Sequence, residues 1–427
     1  MLDIKLIREN PELVKSNLLK RGNPEHTKML DKLIILDKKW RTNLTELNNL
    51  RHKRKLATNE IAEIKKMRKD AKESIEKARK IETQIKKIEN EVVSEKESIN
   101  GYLLRIPNLL HESVPIGTDE KGNIQIKKWG DLPEFDFPVQ NHIELGTKLK
   151  IIDIERAGKV AGSRFFYLKG AGVLLDLALT NFALEEISKK GYLPIEPPYL
   201  MRKEAYEGVT SLSDFKDVLY KIEKENLYLI ATSEHPMAAM FMKEVLKEEE
   251  LPLKFAGIST CFRKEAGSHG KDTRGIFRTH QFNKIEQFIF CTPEMSWRLH
   301  EELINNAETI VKKIGLPYRL VNVCTGDIGT VAAKKYDIEV WMPAQKAYRE
   351  VVSCSNCTDY QSRRLDIRYR EKEGAPTKGF VHTLNSTAVA TGRIIVAILE
   401  NFQRYDGSVS VPEVLRKYMG SIEKISL

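Results

Sequence analysis

The chain has 427 residues, a formal net charge of +10, 41% hydrophobic residues and 8% aromatic residues. That length allows more than one domain with a substantial core, and the composition excludes a disordered chain. No apolar run approaches the roughly 20 residues that a membrane span needs, and the opening "MLDIKLIRENPELVK" lacks the apolar centre of a signal peptide.

From Glu25 to Asn100 the sequence contains no Gly and no Pro, the residues that most disfavour helix interiors. Leu33, Leu36, Trp40, Leu47, Leu50, Ala57, Ile61 and Ile64 recur at heptad positions, interrupted by Asn43 and Arg54. Such a repeat predicts a coiled-coil seam. A second seam runs through Ala78, Ile81, Ile85, Ile88, Val92 and Ile99. Continuing the first frame would put Glu82 and Glu89 in the seam, so the phase breaks between the two, within the polar stretch "KKMRKDAKES" (65–74). Two antiparallel helices joined there would bury both seams within one chain; one extended helix pairing with another subunit is the alternative. Arg51 to Lys72 holds nine Lys/Arg and three Asp/Glu, a basic stretch suited to phosphates, though a solvated helix face has the same composition.

Pro107, Pro115 and Gly117 then punctuate a predicted linker. Beyond it the texture changes. "LLDLALTNFALEEISKKGY" (174–192) has helical periodicity, while "NLYLIATSE", "LKFAGISTCFRKE", "HQFNKIEQFIF", "YDIEVWMP" and "AYREVVSCS" read as strands. Neighbouring strands with helices at intervals predict an α+β domain with an antiparallel sheet. The C-terminal "VPEVLRKYMGSIEKISL" reads as an amphipathic helix docked on the body, and 202–226 as loop and strand with no assigned role. The five cysteines are too few for a disulfide framework, so the cytoplasm is the expected compartment. Cys354 and Cys357 have the spacing of half a zinc site, but no second pair follows, and two reduced thiols are expected without zinc.

Residues two apart share a strand face, which places Arg263 with Glu265, and Phe282 with Lys284 and Glu286. Phe282 to Glu286 spans roughly 13 Å, room for a nucleotide beside a small amine. The intervening loop carries Gly267, Gly270, Gly275, Lys264, Lys271, Arg274 and Arg278. In "ATSEH" the same alternation puts Thr232 and Glu234 on one face of a strand end. "HTLNSTAVATGRIIVAILENF" reads as a strand presenting Asn385 and Thr387, then a helix from about Gly392 with Arg393 in its first turn. A cation there opposes the helix dipole unless an anion uses both.

"CFRKEAGSHGKDTRGIFRTHQF" resembles motif 2 of class II aminoacyl-tRNA synthetases, "TGRIIVAILENFQ" motif 3, and "GYLPIEPPYLMR" motif 1 with its proline at Pro198. "IPNLLHESVPIGTDE", "ATSE", "HQFNKIEQF", "DIEVWMPA", "SCSNCTDYQSRR" and "HTLNSTAVATGR" in this order are similar to the seryl-tRNA synthetases, and "TSEH" with "LNSTA" resembles their archaeal and eukaryotic branch. The resemblance implies an N-terminal tRNA-binding domain (1–105) with a long helical hairpin (about 28–100), a linker (106–120) and a class II catalytic domain (121–427). Motifs 1, 2 and 3 would fall at about 174–202, 255–290 and 383–403. It implies a homodimer built on motif 1, ATP, L-serine and tRNA(Ser) as partners, and Mg²⁺ as cofactor; tRNA(Sec) is an open second substrate.

The site roles also come from the resemblance. Arg263 and Arg393 are the implied catalytic cations. Arg263 would grip the α-phosphate, Glu265 the adenine amino group, and Phe282 would stack on the base. Arg278 and Arg393 would hold the outer phosphates, with Lys264, Thr279, Val351 and Val352 beside the nucleotide. Glu350 and Ser353 would anchor Mg²⁺; being three apart, they reach one side only if the strand is bulged. Serine would sit among Thr232, Ser233, Glu234, Arg263, Glu286, Asn385 and Thr387. The arm residues Arg51, Lys53, Arg54, Lys65, Lys66, Arg68 and Lys69, with Lys271 and Arg274, would contact tRNA. Two rival readings are a non-catalytic nucleic-acid-binding protein, which predicts gaps among these substrate contacts, and an enzyme loading a carrier protein, whose relatives lack the long arm.

Overall fold

The structure is a computed structural model describing residues 1–210, 217–265 and 275–427. Lys271 and Arg274, together with Gly267 and Gly270, lie outside the described residues. The chain forms two compact units, Met1–Leu109 and Leu110–Leu427.

In the first unit, helices Ile4–Glu9 and Pro11–Leu19 precede two long ones, α1 (Pro24–Lys66) and α2 (Lys72–Arg105). Asn23 caps α1 by accepting from Glu25 N, and Pro24 occupies the first turn, where its missing N–H costs nothing. At 1.5 Å per residue, the 43 residues of α1 reach about 65 Å. The two helices run antiparallel: Asn43 Nδ2 donates to Glu95 Oε1 (2.9 Å), Arg51 pairs with Glu89 (2.7 Å) and Arg54 with Glu82 (2.9 Å). Leu33, Leu47, Leu50, Ile85 and Ile99 are buried along them. The break at 67–71 is thus a turn, with Arg68 at φ 56° and Ala71 buried, and the single extended helix is excluded. Glu82 and Glu89, which would have spoiled a continuous seam, face the guanidinium groups of Arg54 and Arg51 instead. At the other end Asp37 is 3% exposed and binds Arg8 (2.6 Å) and Arg41 (3.0 Å), tying the first short helix to α1.

The second unit is built on an eight-stranded sheet. Its strands are β1 (Ile124–Trp129), β2 (Leu193–Ile195), β3 (Leu253–Phe262), β4 (Gln281–Cys291), β5 (Tyr318–Asn322), β6 (Lys334–Met342), β7 (Ala347–Asn356) and β8 (His382–Ala390). The order is β1-β5-β6-β7-β8-β4-β3-β2, antiparallel throughout except for β2 beside β3. Helices α3 (Ala171–Ser188), α4 (Ser296–Ile314) and α5 (Thr391–Asn401) supply much of the apolar cover. Leu179, Leu303 and Ile395 are each fully buried against sheet residues such as Ile289 and Ile338. Leu110 and Val114, from the predicted linker, are buried with Val321, Val323 and Ile328. The C-terminus forms only a short helix, Glu413–Arg416, followed by a 3₁₀ turn and the strand Lys424–Ile425, although Leu415, Met419 and Ile425 do dock in the core.

Two irregularities shape the sheet. Between β6 and β7, Ile338 faces Val352 but Glu339 faces Glu350, leaving Val351 surplus. Between β8 and β4, Thr387 faces Glu286 but Val389 faces Ile285, leaving Ala388 surplus. The first is the bulge that the spacing of Glu350 and Ser353 requires: since Asp337 and Glu339 share a face, so do their partners Ser353 and Glu350.

Candidate active site

One cavity of about 900 Å³ opens over the middle of the sheet. Arg263, Glu286 and Arg393, separated by up to 130 residues in the chain, all line it. So do Glu265, Arg278, Thr279 and Phe282 from the motif 2 region, and Glu350, Val351 and Ser353 from β7. Thr232, Glu234, Asn385 and Thr387 line it as well. Three predicted residues stand off the lining. Ser233 is fully buried and donates to Gly257 O (3.3 Å); Lys264 sits over the Tyr220 ring; Val352 belongs to the apolar core.

Two local expectations need correction. Thr232 and Glu234 do not lie on a strand: the strand ends at Leu229, and Glu234 opens the helix Glu234–Ala239. Pro236 is tolerated in its first turn, and Thr232 Oγ1 accepts from Glu234 N (3.3 Å). Gly257 permits this turn to pack closely, because a Cβ there would meet Met237 and Ser233 at under 3.0 Å. Likewise β3 stops at Phe262, so Arg263 and Glu265 do not share a strand face; Glu265 has φ 48°. Both still line the cavity, from irregular chain beyond the strand end.

The charges divide into two groups. In one, Lys284 Nζ lies 2.5 Å from Glu286 Oε2, with both side chains buried, and Thr387 Oγ1 donates to the same oxygen at 3.4 Å. Burial pushes the Glu286 carboxyl up, against the pull of Lys284, Thr387 and Arg263. Burial, with Glu286 nearby, also raises Glu234, to about 7. Gln361 Nε2 donates to Glu234 Oε1 (3.3 Å) and Thr383 Oγ1 donates to Gln361 Oε1 (2.6 Å). His235, held down to about 3 by burial and the nearby cations, is neutral and within 2.7 Å of the Tyr206 hydroxyl. Arg263 Nε donates to Ala231 O (3.2 Å), and its guanidinium lies 5.2 Å over the Phe282 ring.

In the second group, Arg393 is not a solvated helix-start residue. Its Nη1 donates to Glu350 O (2.9 Å) and lies 3.3 Å from Glu350 Oε1, with the guanidinium over Phe277. Enclosure by the cavity walls would raise Glu350, whose side chain is nonetheless 48% exposed, but Arg393, Lys335, Arg263 and Arg278 hold it below the usual carboxylate range. Arg278 lies 3.9 Å from Glu265. Behind Glu350, Asp337 is raised to about 7 by burial despite Lys335, 3.7 Å away, and its Oδ1 has no hydrogen-bond partner among the described residues.

Several lining residues were absent from the sequence reading. Lys335 shares a strand face with Asp337 and Glu339, so alternation alone could have found it. Val209, Thr210 and Val218 border the cavity from the segment given no role, and Gln361 reaches it from the helix Tyr360–Leu365. No local signal marks these four. Cys354 and Cys357 are buried, and burial pushes both thiols well up; among the described residues no cluster of three or more His, Cys, Asp or Glu is arranged for a metal. In the arm, Arg51 and Arg54 carry acidic partners while Lys53, Lys65, Lys66, Arg68 and Lys69 are exposed.

Oxygen and guanidinium groups brought into one cavity by an antiparallel sheet suit a phosphate-rich ligand beside a small polar amine, and comparison with known proteins agrees. Residues 1–110 match the seryl-tRNA synthetase N-terminal domain, and residues 220–402 the class II tRNA synthetase core domain of the G, H, P, S and T group. The serine–tRNA ligase of Methanocella arvoryzae is 51% identical over 423 residues, covering 99% of this chain and 100% of that protein. The seryl-tRNA synthetase of Pyrococcus horikoshii, solved in complex with ATP, superposes with a TM-score of 0.95 at 50% identity over 100% of this chain and 99% of that one. The cytoplasmic serine–tRNA ligase of Naegleria fowleri, solved with AMP, superposes at 0.89 with 40% identity, again over 100% and 99%. With both its helical arm and its class II core matched in a single alignment, the chain belongs to the seryl-tRNA synthetase family of ligases.

Proposed function

We propose that this enzyme activates L-serine with ATP and transfers it to tRNA(Ser), with the residues of this cavity in the roles the family resemblance gives them. The observation that carries this reading is the convergence of Arg263, Glu286 and Arg393 on one space. In the first step a serine carboxylate oxygen attacks the α-phosphorus of ATP, the bond to the bridging oxygen breaks, and pyrophosphate leaves. The substrate is its own nucleophile, so the protein supplies position and charge rather than a base. Arg263 faces the charge that builds on the α-phosphate, while Arg278 and Arg393 hold the outer phosphates. Glu286 and Thr387 receive the serine hydroxyl and ammonium with Glu234. In the second step a ribose hydroxyl of the terminal adenosine of tRNA attacks the carbonyl carbon and AMP leaves.

Glu350 and Ser353 suit Mg²⁺: the bulge at Val351 brings a carboxylate and a hydroxyl, both hard oxygen donors, to one side of the cavity, and Glu350 remains 48% exposed. A bound Mg²⁺ would neutralise phosphate charge there. A homodimer built on motif 1 fits the apolar residues that α3 and β2 leave exposed, Val173, Leu174, Leu177 and Leu193. Five buried thiols suit a reducing compartment such as the cytoplasm. The test of the activity is serine-dependent exchange between pyrophosphate and ATP with Mg²⁺ present; folded protein without exchange would defeat the reading.

Two further results are expected. Because Glu234 must be ionised to receive an ammonium and is raised to about 7, kcat/KM for serine should fall as pH drops through about 7, approaching tenfold per pH unit below it. The sign for stability is opposite: a carboxyl raised in the folded state binds its proton more tightly there, so its contribution is present below its ordinary range and declines as pH rises through 7. A pH profile of exchange flat between about 6 and 8 would remove Glu234 from the ammonium site. Separately, replacing Lys65, Lys66, Arg68 and Lys69 with Glu should leave serine-dependent exchange unchanged and weaken tRNA binding at least about tenfold, with a shallower salt dependence. Equal tRNA affinity measured across a salt series would contradict the arm's role.

A further inference from the structure

The amino-acid end of the cavity contains one residue to which the functional reading gives no task. Lys284 lines the cavity on β4, between Phe282 and Glu286 on the same strand face, and its side chain is 8% exposed. A lysine that deep is unusual unless paired, and the pair here is with the residue that the reading assigns to serine itself.

Lys284 Nζ and Thr387 Oγ1 both engage Glu286 Oε2, so among the described residues Oε1 is the oxygen left for a ligand. Glu234 lies within electrostatic reach of Glu286, Lys284 and Arg263, and Glu286 within reach of Lys284 and Arg263. Of the other titratable side chains lining this end, His235 is neutral and burial keeps the Cys357 thiol protonated. The formal charges therefore cancel: two carboxylates, Glu234 and Glu286, against two cations, Arg263 and Lys284. Under the serine reading Arg263 takes the carboxylate and Glu234 the ammonium, while Lys284 offsets Glu286.

We propose that Lys284 is a specificity-determining residue that neutralises the amino-acid end of the cavity, so that it accepts a zwitterion in preference to a cationic amine of the same size. This rests on the serine reading. Without Lys284 the pocket carries one excess negative charge and attracts any small hydroxyl-bearing ammonium compound. With it, a ligand lacking a carboxylate leaves Arg263 unmatched. Buried charge pairs make this discrimination strong, because solvent screens them little.

The test compares L-serine with ethanolamine, which is serine without its carboxylate, by calorimetric binding at about pH 8, where Glu234 is ionised. Wild-type protein should favour serine. In Lys284→Met the serine-to-ethanolamine affinity ratio should shift at least about tenfold toward ethanolamine, and in Lys284→Arg it should return close to the wild-type value. A merely structural lysine would weaken both ligands equally and leave the ratio unmoved. Should Lys284→Met not fold, as shown by lost ATP binding, Glu286→Gln decides: it leaves an excess positive charge and should shift the ratio in the opposite direction. An unchanged ratio in the folded variants, with serine binding intact in wild type, overturns the role of Lys284 alone. Wild-type protein that neither binds serine nor supports serine-dependent exchange overturns the reading beneath it.

Discussion

Replacing Arg263 with Ala is expected to slow serine-dependent ATP–pyrophosphate exchange by at least about a hundredfold, the effect of deleting one charge-stabilising donor from a preorganised site. Arg263 is anchored from below by a single bond from Nε to Ala231 O and rests on the Phe282 face. Its two terminal nitrogens have no partner among the described residues, so they are the donors available to a phosphate or carboxylate. Removing the side chain costs the fold little, since a partly exposed cation–ring contact contributes on the order of 0.5–1 kcal/mol. The loss should therefore appear in kcat/KM and not in the melting temperature. Arg263→Lys should recover only part of it, because an ammonium cannot present two parallel donors. Near-wild-type exchange in the Ala variant would refute the assignment.

The second large effect is expected at Glu286. Glu286→Gln should lower kcat/KM for serine by about a hundredfold or more and leave ATP binding unchanged. The carboxylate is 1% exposed and accepts from Lys284 and Thr387, so a substrate hydroxyl or ammonium meets an acceptor already stripped of water. Hydrogen bonds to such a charged group contribute about 1.5–3 kcal/mol, and sites built this way discriminate strongly against ligands that leave them unsatisfied. Gln is the informative change. Ala would leave the buried Lys284 ammonium with no acceptor in place of Glu286, a loss of about 3–5 kcal/mol that would confuse folding with function, whereas the Gln amide oxygen can still accept from it. Steady-state exchange at saturating ATP measures the effect, and unchanged kcat/KM would place serine elsewhere.

Much of this site was legible because its residues sit where period-two alternation is undisturbed. Phe282, Lys284 and Glu286 on β4, and Asn385 and Thr387 on β8, point as their spacing says. The long arm was legible for the same kind of reason, a heptad repeat free of Gly and Pro, and its phase break marked the turn. Alternation failed where the chain departs from regular geometry. Glu234 and Glu265 reach the cavity from a helix start and a left-handed turn, so a strand reading put them at the right place by the wrong route. Val209, Thr210, Val218 and Gln361 arrive from segments whose local sequence says nothing about a ligand; only tertiary packing brings them in. Lys284 was visible as a residue on the right face, but its meaning depends on a 2.5 Å contact that no sequence spacing specifies.

The surplus residue Val351 separates two jobs that look inseparable in the sequence. Excise it, and Glu350 would stand two positions from Ser353 in an unbroken ladder opposite Glu339 and Asp337, so both would keep their aim. What would change is the main chain at the cavity wall, where Glu350 O accepts from Arg393 Nη1 beside the surplus residue. One aliphatic residue of extra length thus sets where a main-chain carbonyl meets the Arg393 guanidinium, so that this cation is held by backbone as well as by carboxylate.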